Sequence, residues 1–197
     1  MSPSYLKVHN LLDEGKVAGA ANEFQSIFAP AVNKLCSEAG KSAPKRYMMD
    51  AKWPSRVKDL HALTDKAQKC LNGGDKKASR EALESLRKFF FYLHAANRMV
   101  LSSDGVYAFK KRVDRIPDNG ELAQSEIAKL RALKVKIGRS TPSGRAKTDK
   151  PAFCRDFKQW SAEVEKILAE SPLSSKSIAE LKTITDNFYL KYGIDLE

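Results

Sequence analysis

The sequence predicts an all-α fold: seven to eight antiparallel helices arranged as helical hairpins in a bundle-like single domain. Three observations predict it. Apolar residues recur at spacings of three and four along almost the whole chain. No stretch of strict alternation reads as a strand. Glycine and proline break the apolar stripes at intervals suited to helix–turn–helix connections.

The first stripe, Tyr5, Val8, Leu11 and Leu12, stops at Gly15, a residue suited to a left-handed helix end. Val17, Ala21, Phe24, Phe28, Ala31 and Leu35 form the second, with Pro30 inside it predicting a kink or break near Ile27 to Ala29. Gly40 ends this helix, and a loop with Pro44, Trp53 and Pro54 follows. Val57, Leu60, Thr64, Ala67 and Leu71 make the third stripe, closed by Asn72-Gly73-Gly74. Asp75 is the expected N-cap of a long fourth helix carrying Ala82, Leu83, Leu86, Phe89, Phe90, Leu93, Ala96 and Val100. The aromatic run Phe89 to Tyr92 points to a central helix touched on several sides.

A short fifth helix is expected after Ser102 to Gly105, ending before the turn Pro117-Asp118-Asn119-Gly120. Leu122, Ile127, Leu130, Leu133 and Ile137 form the sixth, closed by Gly138. Apart from Pro142 and Pro151, residues 139–151 hold no apolar side chain larger than Ala146 and read as a polar loop or linker. Phe153, Phe157, Trp160, Val164 and Ile167 line the seventh helix. The eighth carries Ile178, Leu181, Ile184, Phe188 and Tyr192, with Ser177 and Glu180 at capping-box spacing. The domain is expected to span 1–197, divisible into a main bundle 1–138, the loop 139–151 and a C-terminal hairpin 152–197. A weak repeat relates Leu12-Asp13-Glu14-Gly15 to Leu71-Asn72-Gly73-Gly74 at an offset of 59 residues, read as duplicated hairpin geometry.

Composition narrows the function classes. With 35 Lys and Arg against 24 Asp and Glu, the 197-residue chain carries a formal charge of +11. No run approaches the roughly 20 apolar residues of a membrane span, and a soluble protein is expected. Three cysteines, Cys36, Cys70 and Cys154, do not make a disulfide scaffold. Neither a secretory h-region nor a cleavage site lies within residues 1–10, which suits a cytoplasmic protein and equally a mature periplasmic or secreted one with its signal removed; the cytoplasmic reading is carried slightly ahead and the compartment left open.

The charge is concentrated. Between Lys110 and Lys150, twelve basic residues stand against five acidic ones, a net +7. The candidate anion- or partner-binding residues are Lys110, Lys111, Arg112, Arg115, Lys129, Arg131, Lys134, Lys136, Arg139, Arg145 and Lys147. Concentrated positive charge suits an anionic partner: an acidic protein, nucleic acid or anionic lipid. The Ser140 to Arg145 string is the nearest approach to an anion-cradling loop.

Histidines supply a second set. His9 precedes Asp13, and His61 precedes Asp65, each by four residues on one helix face. Two such pairs on neighbouring helices would make a two-His, two-carboxylate metal site, and His94 would serve as an axial haem ligand in a bundle interior. The bland reading is surface His–Asp pairs and a packed core histidine. Phosphate-loop, H-E-x-x-H and nucleophile-elbow motifs are missing from the chain, so no reaction and no catalytic residue is nominated. The sequence therefore favours a non-enzymatic interaction or scaffold module without a cofactor, contacting an acidic partner through the 110–150 region. A metal- or haem-binding bundle and a sequence-nonspecific nucleic-acid binder are the alternatives.

Overall fold

The computed structural model describes residues 2–36, 45–118, 122–170 and 172–194. Among these the chain is all-α: beyond its helices it holds only an isolated bridge between Leu101 and Thr141. Contacts cluster into two compact units, residues 1–99 and 100–194. No described helix is long and apolar enough to cross a membrane.

Unit 1 is built from α1 (Ser2–Asp13), α2 (Val17–Glu23), a π-helical turn (Phe24–Phe28), α3 (Ala29–Cys36), α4 (Lys45–Met48), α5 (Trp53–Asn72) and α6 (Lys76–Ala96). The α1–α2 and α5–α6 hairpins turn in the same way. Gly15 (φ +77°) and Gly74 (φ +74°) occupy left-handed conformations at equivalent places, where a Cβ would be strained. The predicted offset of 59 residues is thus a repeat of turn chemistry. Asp75 caps α6 as expected, its side chain accepting from the Lys77 and Ala78 amides. Pro30 does not break its helix. Phe24–Phe28 immediately before it takes the wider π register and lets α2 and α3 run on as one continuous rod.

The core of unit 1 holds Tyr5, Val8, Leu12, Phe24, Phe28 and Val32 against Leu60, Leu71, Leu83, Leu86, Phe90 and Leu93. The Tyr5 hydroxyl donates to the Leu83 carbonyl and fixes α1 on α6. In α6 one stripe is buried, from Ser79 through Leu83, Leu86, Arg87 and Phe90 to His94. Phe89 and Phe91 are half-buried and Tyr92 is exposed. The aromatic run therefore buries a single face instead of most of the helix circumference. Helix α6 ends in a Schellman motif: the Met99 amide donates to the His94 carbonyl (2.9 Å) and the Arg98 amide to the Ala95 carbonyl (3.1 Å). The left-handed residue there is Arg98, at φ +54°.

Unit 2 comprises α7 (Ser102–Val113), α8 (Gln124–Arg139), α9 (Arg145–Thr148), α10 (Lys150–Leu168) and α11 (Ser175–Tyr192). Its core centres on Trp160, whose ring stacks on Phe188 at 4.5 Å and meets Phe109 edge-on at 4.9 Å. Gly105, expected to punctuate the chain ahead of a helix, lies inside α7 at its crossing with α8, where a Cβ would come within 2.8 Å of Ile137 Cγ1. The cap of α11 is Ser174, which accepts from the Ser177 amide at 3.1 Å, so the helix starts one turn before the expected Ser177–Glu180 box. Cys154 falls beyond the first turn of α10, because Asp149 is its cap.

His9 illustrates how burial sets protonation in unit 1. Its ring stands 4.8 Å from Tyr5, and its Nε2 is buried without a hydrogen-bond partner. Burial lowers its pKa to about 4, with Asp13 opposing and Arg80 assisting. An unfolded chain binds a proton at His9 below pH 6.5 that the folded unit refuses until about pH 4. Stability conferred by neutral His9 is therefore complete above pH 6.5 and is lost as pH falls toward 4, by an amount on the order of 3 kcal/mol. In urea melts of the whole chain between pH 7 and 4.5, His9→Leu is expected to flatten this loss. An unchanged pH slope in the variant excludes His9 as its source.

Candidate anion-binding surface

The basic segment of unit 2 divides into two populations. The first is engaged in ion pairs that join helices. Arg131 Nη2 stands 2.6 Å from Glu165 Oε1, and Lys134 Nζ 2.5 Å from Glu165 Oε2, so one carboxylate of α10 is clamped from two turns of α8. The Lys134 hydrogen bond, assisted by Arg131 and opposed by burial, holds the Glu165 carboxyl below its ordinary range. Arg131 also donates to the Leu168 carbonyl at 3.3 Å, near the end of α10.

Glu126 is shared in the same manner, by Lys129 at 2.6 Å within α8 and by Arg112 from α7. Lys129 contributes most to lowering its pKa. Lys110 sits between Asp114 (2.8 Å) and Asp186 (2.5 Å), joining α7 to α11. Burial works against its charge, but the two carboxylates prevail and hold the amine above its ordinary pKa. Lys111 reaches Asp114 at 3.9 Å.

The second population faces solvent. Arg115, Lys136, Arg139, Lys147 and Lys150 are exposed and make no ion pair among the described residues. Arg145 is exposed beside them on α9. Four of these, Lys136, Arg139, Lys147 and Lys150, lie on the end of α8, on α9 and on the first residue of α10. Lys158 extends the group. A Cβ at Gly138 would lie 3.0 Å from the Phe157 ring, so the neighbouring positions Arg139 and Lys158 belong to one helix crossing.

What fixes this end of unit 2 is a buried hydroxyl cluster. Ser102, Ser103 and Ser143 are fully buried. Ser143 Oγ accepts from the Ser103 amide at 3.0 Å and donates to Ser103 Oγ at 2.9 Å. The Ser143 amide donates to Ser102 Oγ at 3.1 Å. Backbone bonds add to this: Ser102 N–H to the Thr141 carbonyl and Thr141 N–H to the Val100 carbonyl, both 2.9 Å. Ala146, fully buried, seats α9, and Asp149 then caps α10 through the Ala152 amide at 3.0 Å. The stretch 139–151, expected as a solvated polar loop, is thereby a latched turn and a short helix. Within the Ser140 to Arg145 string the Ser143 hydroxyl points inward, and the Ser140 hydroxyl donates to the Ile137 carbonyl at 2.6 Å. Glycine and small polar residues leave no apolar periodicity in the sequence, so nothing there announced the latch.

The histidine candidates are differently placed. His9 is half-buried on α1, and Asp13 one turn on binds Arg80 of α6. His61 lies half-buried on α5, with Asp65 exposed. His94 is fully buried, one face near-parallel to Tyr47 and the ring also against Phe90, each at 6.1 Å. Among the described residues no group of three or more His, Cys, Asp or Glu is placed to hold a metal ion. The convergence that the metal reading requires is thus not formed by His9, Asp13, His61, Asp65 and His94 among those residues. The three cysteines are free thiols, and burial raises the pKa of Cys36.

A shallow groove of about 190 Å³ runs between α10 and α11, with Trp160 and Phe188 at its base and Asp156, Glu163, Asn187 and Lys191 around it. Both carboxylates are occupied. Asp156 accepts from Lys191 and from the Tyr192 hydroxyl (2.7 Å), and Glu163 accepts from Gln159 at 3.0 Å. The Lys191 hydrogen bond, seconded by Tyr192, holds Asp156 below the usual carboxylate range, while burial and Asp156 push the Tyr192 phenol far above its own.

No family model, curated protein or solved structure matches the chain.

The two cation populations are separable by substitution. Arg131→Gln with Lys134→Gln leaves Glu165 without its clamp and is expected to lower the melting temperature by a few degrees, as for loss of a partly exposed ion-pair network. Lys136→Gln with Arg139→Gln is expected to leave it unchanged. Equal shifts in calorimetry contradict the division.

Proposed function

We propose that the chain is a non-enzymatic helical interaction module that contacts an acidic protein partner through Lys136, Arg139, Arg145 and Lys147. The observation that carries this reading is the division of the basic segment. Arg112, Lys129, Arg131 and Lys134 serve the fold, whereas Lys136, Arg139, Lys147 and Lys150 remain exposed around a turn that Ser143 fixes. Cations held on a rigid support lose little further freedom on binding, so more of their Coulomb attraction remains as affinity.

An acidic protein is favoured over nucleic acid by what surrounds the charge. Of the aromatic rings near it, Phe153, Trp160 and Phe188 are buried in the unit core and Phe157 is half-buried against Gly138, so none projects freely as a stacking platform for bases. The exposed cations are also spread over the ends of three helices and do not line one helix face of the kind that enters a groove.

Fluorescence anisotropy with a labelled poly-glutamate peptide tests the proposal. Wild-type protein and the Arg131→Gln/Lys134→Gln variant are expected to bind alike at low salt, and Lys136→Glu/Arg139→Glu/Lys147→Glu to bind about tenfold or more weakly. Undiminished binding by the charge-reversed variant, or none by the wild type, overturns it. Preference for labelled single-stranded DNA, with affinity falling steeply as salt rises, replaces the acidic partner with nucleic acid.

A further inference from the structure

Unit 1 carries a second cationic surface of different character. Where α4 ends and turns toward α5 the chain exposes two consecutive methionines, Met48 at 41% and Met49 at 84% of their full area. Consecutive exposed apolar residues at a turn cost solvation and contribute nothing to the core of the unit that bears them.

The turn is nonetheless rigidly built. Tyr47, immediately before it, is buried, with its ring 5.3 Å from Trp53 and 6.1 Å from His94. Asp50, immediately after, is held from several sides. Its Oδ1 accepts from the Lys52 amide at 2.9 Å, its Oδ2 from Arg56 Nε at 2.7 Å and from Asn97 Nδ2 at 3.4 Å, and its carbonyl from the Trp53 amide at 2.8 Å. The methionines therefore project from a fixed base.

The charge around them is one-sided. Asp50 is the single acid between Lys45 and Arg56, and Arg56 neutralises it. Lys45, Arg46, Lys52 and Arg98 are exposed, and none forms an ion pair among the described residues. Arg46 Nη1 donates to the Arg98 carbonyl at 3.2 Å, which brings the two guanidinium-bearing residues to one place. Arg98 also holds the left-handed end of α6, a position where glycine is without strain and arginine is not. A strained non-glycine residue whose backbone is held beside an exposed apolar turn points to a use for its side chain.

We propose that the Met48–Met49 turn, with Lys45, Arg46, Lys52 and Arg98 around it, docks the protein on an anionic lipid surface. The methionines enter the headgroup boundary, and the four cations face lipid phosphates and carboxylates. Two adjacent side chains on a projecting turn fall far short of the roughly 800 Å² that a stable protein interface takes from each partner. Shallow insertion of a few apolar side chains beside several cations suffices for reversible binding to a charged bilayer. The unbranched, pliant methionine side chain suits a disordered lipid boundary better than a shaped pocket.

Cosedimentation with vesicles of phosphatidylserine and phosphatidylcholine, and with phosphatidylcholine alone, tests this surface independently of unit 2. The Lys136→Glu/Arg139→Glu/Lys147→Glu protein serves as the parent, so loss of acidic-peptide binding and loss of vesicle binding are scored separately. The parent is expected to bind the mixed vesicles and not the neutral ones. Met48→Ser/Met49→Ser is expected to weaken binding about tenfold or more, and Lys45→Glu/Arg46→Glu to abolish it. Arg98→Gly is expected to weaken binding severalfold while raising the melting temperature, which separates charge from folding. Equal binding to neutral vesicles, or binding indifferent to Met48 and Met49, overturns the proposal. So does methionine-dependent capture of a poly-glutamate peptide without vesicle binding, which makes the turn a protein-docking site instead.

Discussion

The arrangement of unit 2's surface depends on one buried hydroxyl. Ser143 Oγ lies out of reach of solvent, where an unsatisfied polar group costs several kcal/mol. It is satisfied by the Ser103 amide and Ser103 Oγ, two groups at the start of α7. A loop with no large apolar side chain cannot be held by hydrophobic burial, so directional hydrogen bonds take over that task. Once Ser143 is in place, Gly144 turns the chain at φ +50°, Ala146 seats α9, and Asp149 starts α10. The positions of Arg139, Arg145 and Lys147 follow from that sequence of short-range decisions.

The same unit shows how an excess of positive charge is accommodated in a folded chain. Carboxylates are scarce here, and several are shared: Glu165 between Arg131 and Lys134, Glu126 between Arg112 and Lys129, Asp114 between Lys110 and Lys111. A shared carboxylate brings two cations near each other, which is tolerable only because the anion lies between them. Each such pair also ties separate helices or successive turns. Cations beyond the reach of an acid are left at the periphery, and these are the ones available to a partner. Unit 1 repeats the pattern on a smaller scale, with Asp50 bound to Arg56 and the neighbouring cations left around Met48 and Met49.

Much of the fold was legible because it is local. Spacings of three and four located the eight longer helical stretches, Asp75 announced its own cap, and Gly15 and Gly74 announced turns that share a left-handed residue. Pro30 foretold a disturbance, although a π register proved sufficient to absorb it. Less of the candidate surface was legible. Which lysine or arginine is paired depends on contacts across 31 to 34 residues, as for Glu165, and charge counting along the chain is blind to them. Serine is silent in an apolar pattern, so Ser102, Ser103 and Ser143 gave no signal. Arg87, fully buried among Leu83, Leu86 and Phe90, runs against the expectation that arginine marks the solvent face. His9 and Asp13 do share a helix face, with Tyr5 one turn before them on α1, but that face meets Arg80 of α6 and, among the described residues, no second His–Asp pair.

The central claim is that the basic stretch after α8 is a fixed support and not a linker. Amide hydrogen exchange across residues 140–148 tests it most directly, because a linker and a latched turn differ there by orders of magnitude in protection. The Ser103, Ser143 and Ala146 amides are expected to exchange on the timescale of the α7 interior, for example Phe109. Exchange of 140–148 at the rate of an unstructured chain, while α7 and α10 stay protected, would contradict the account.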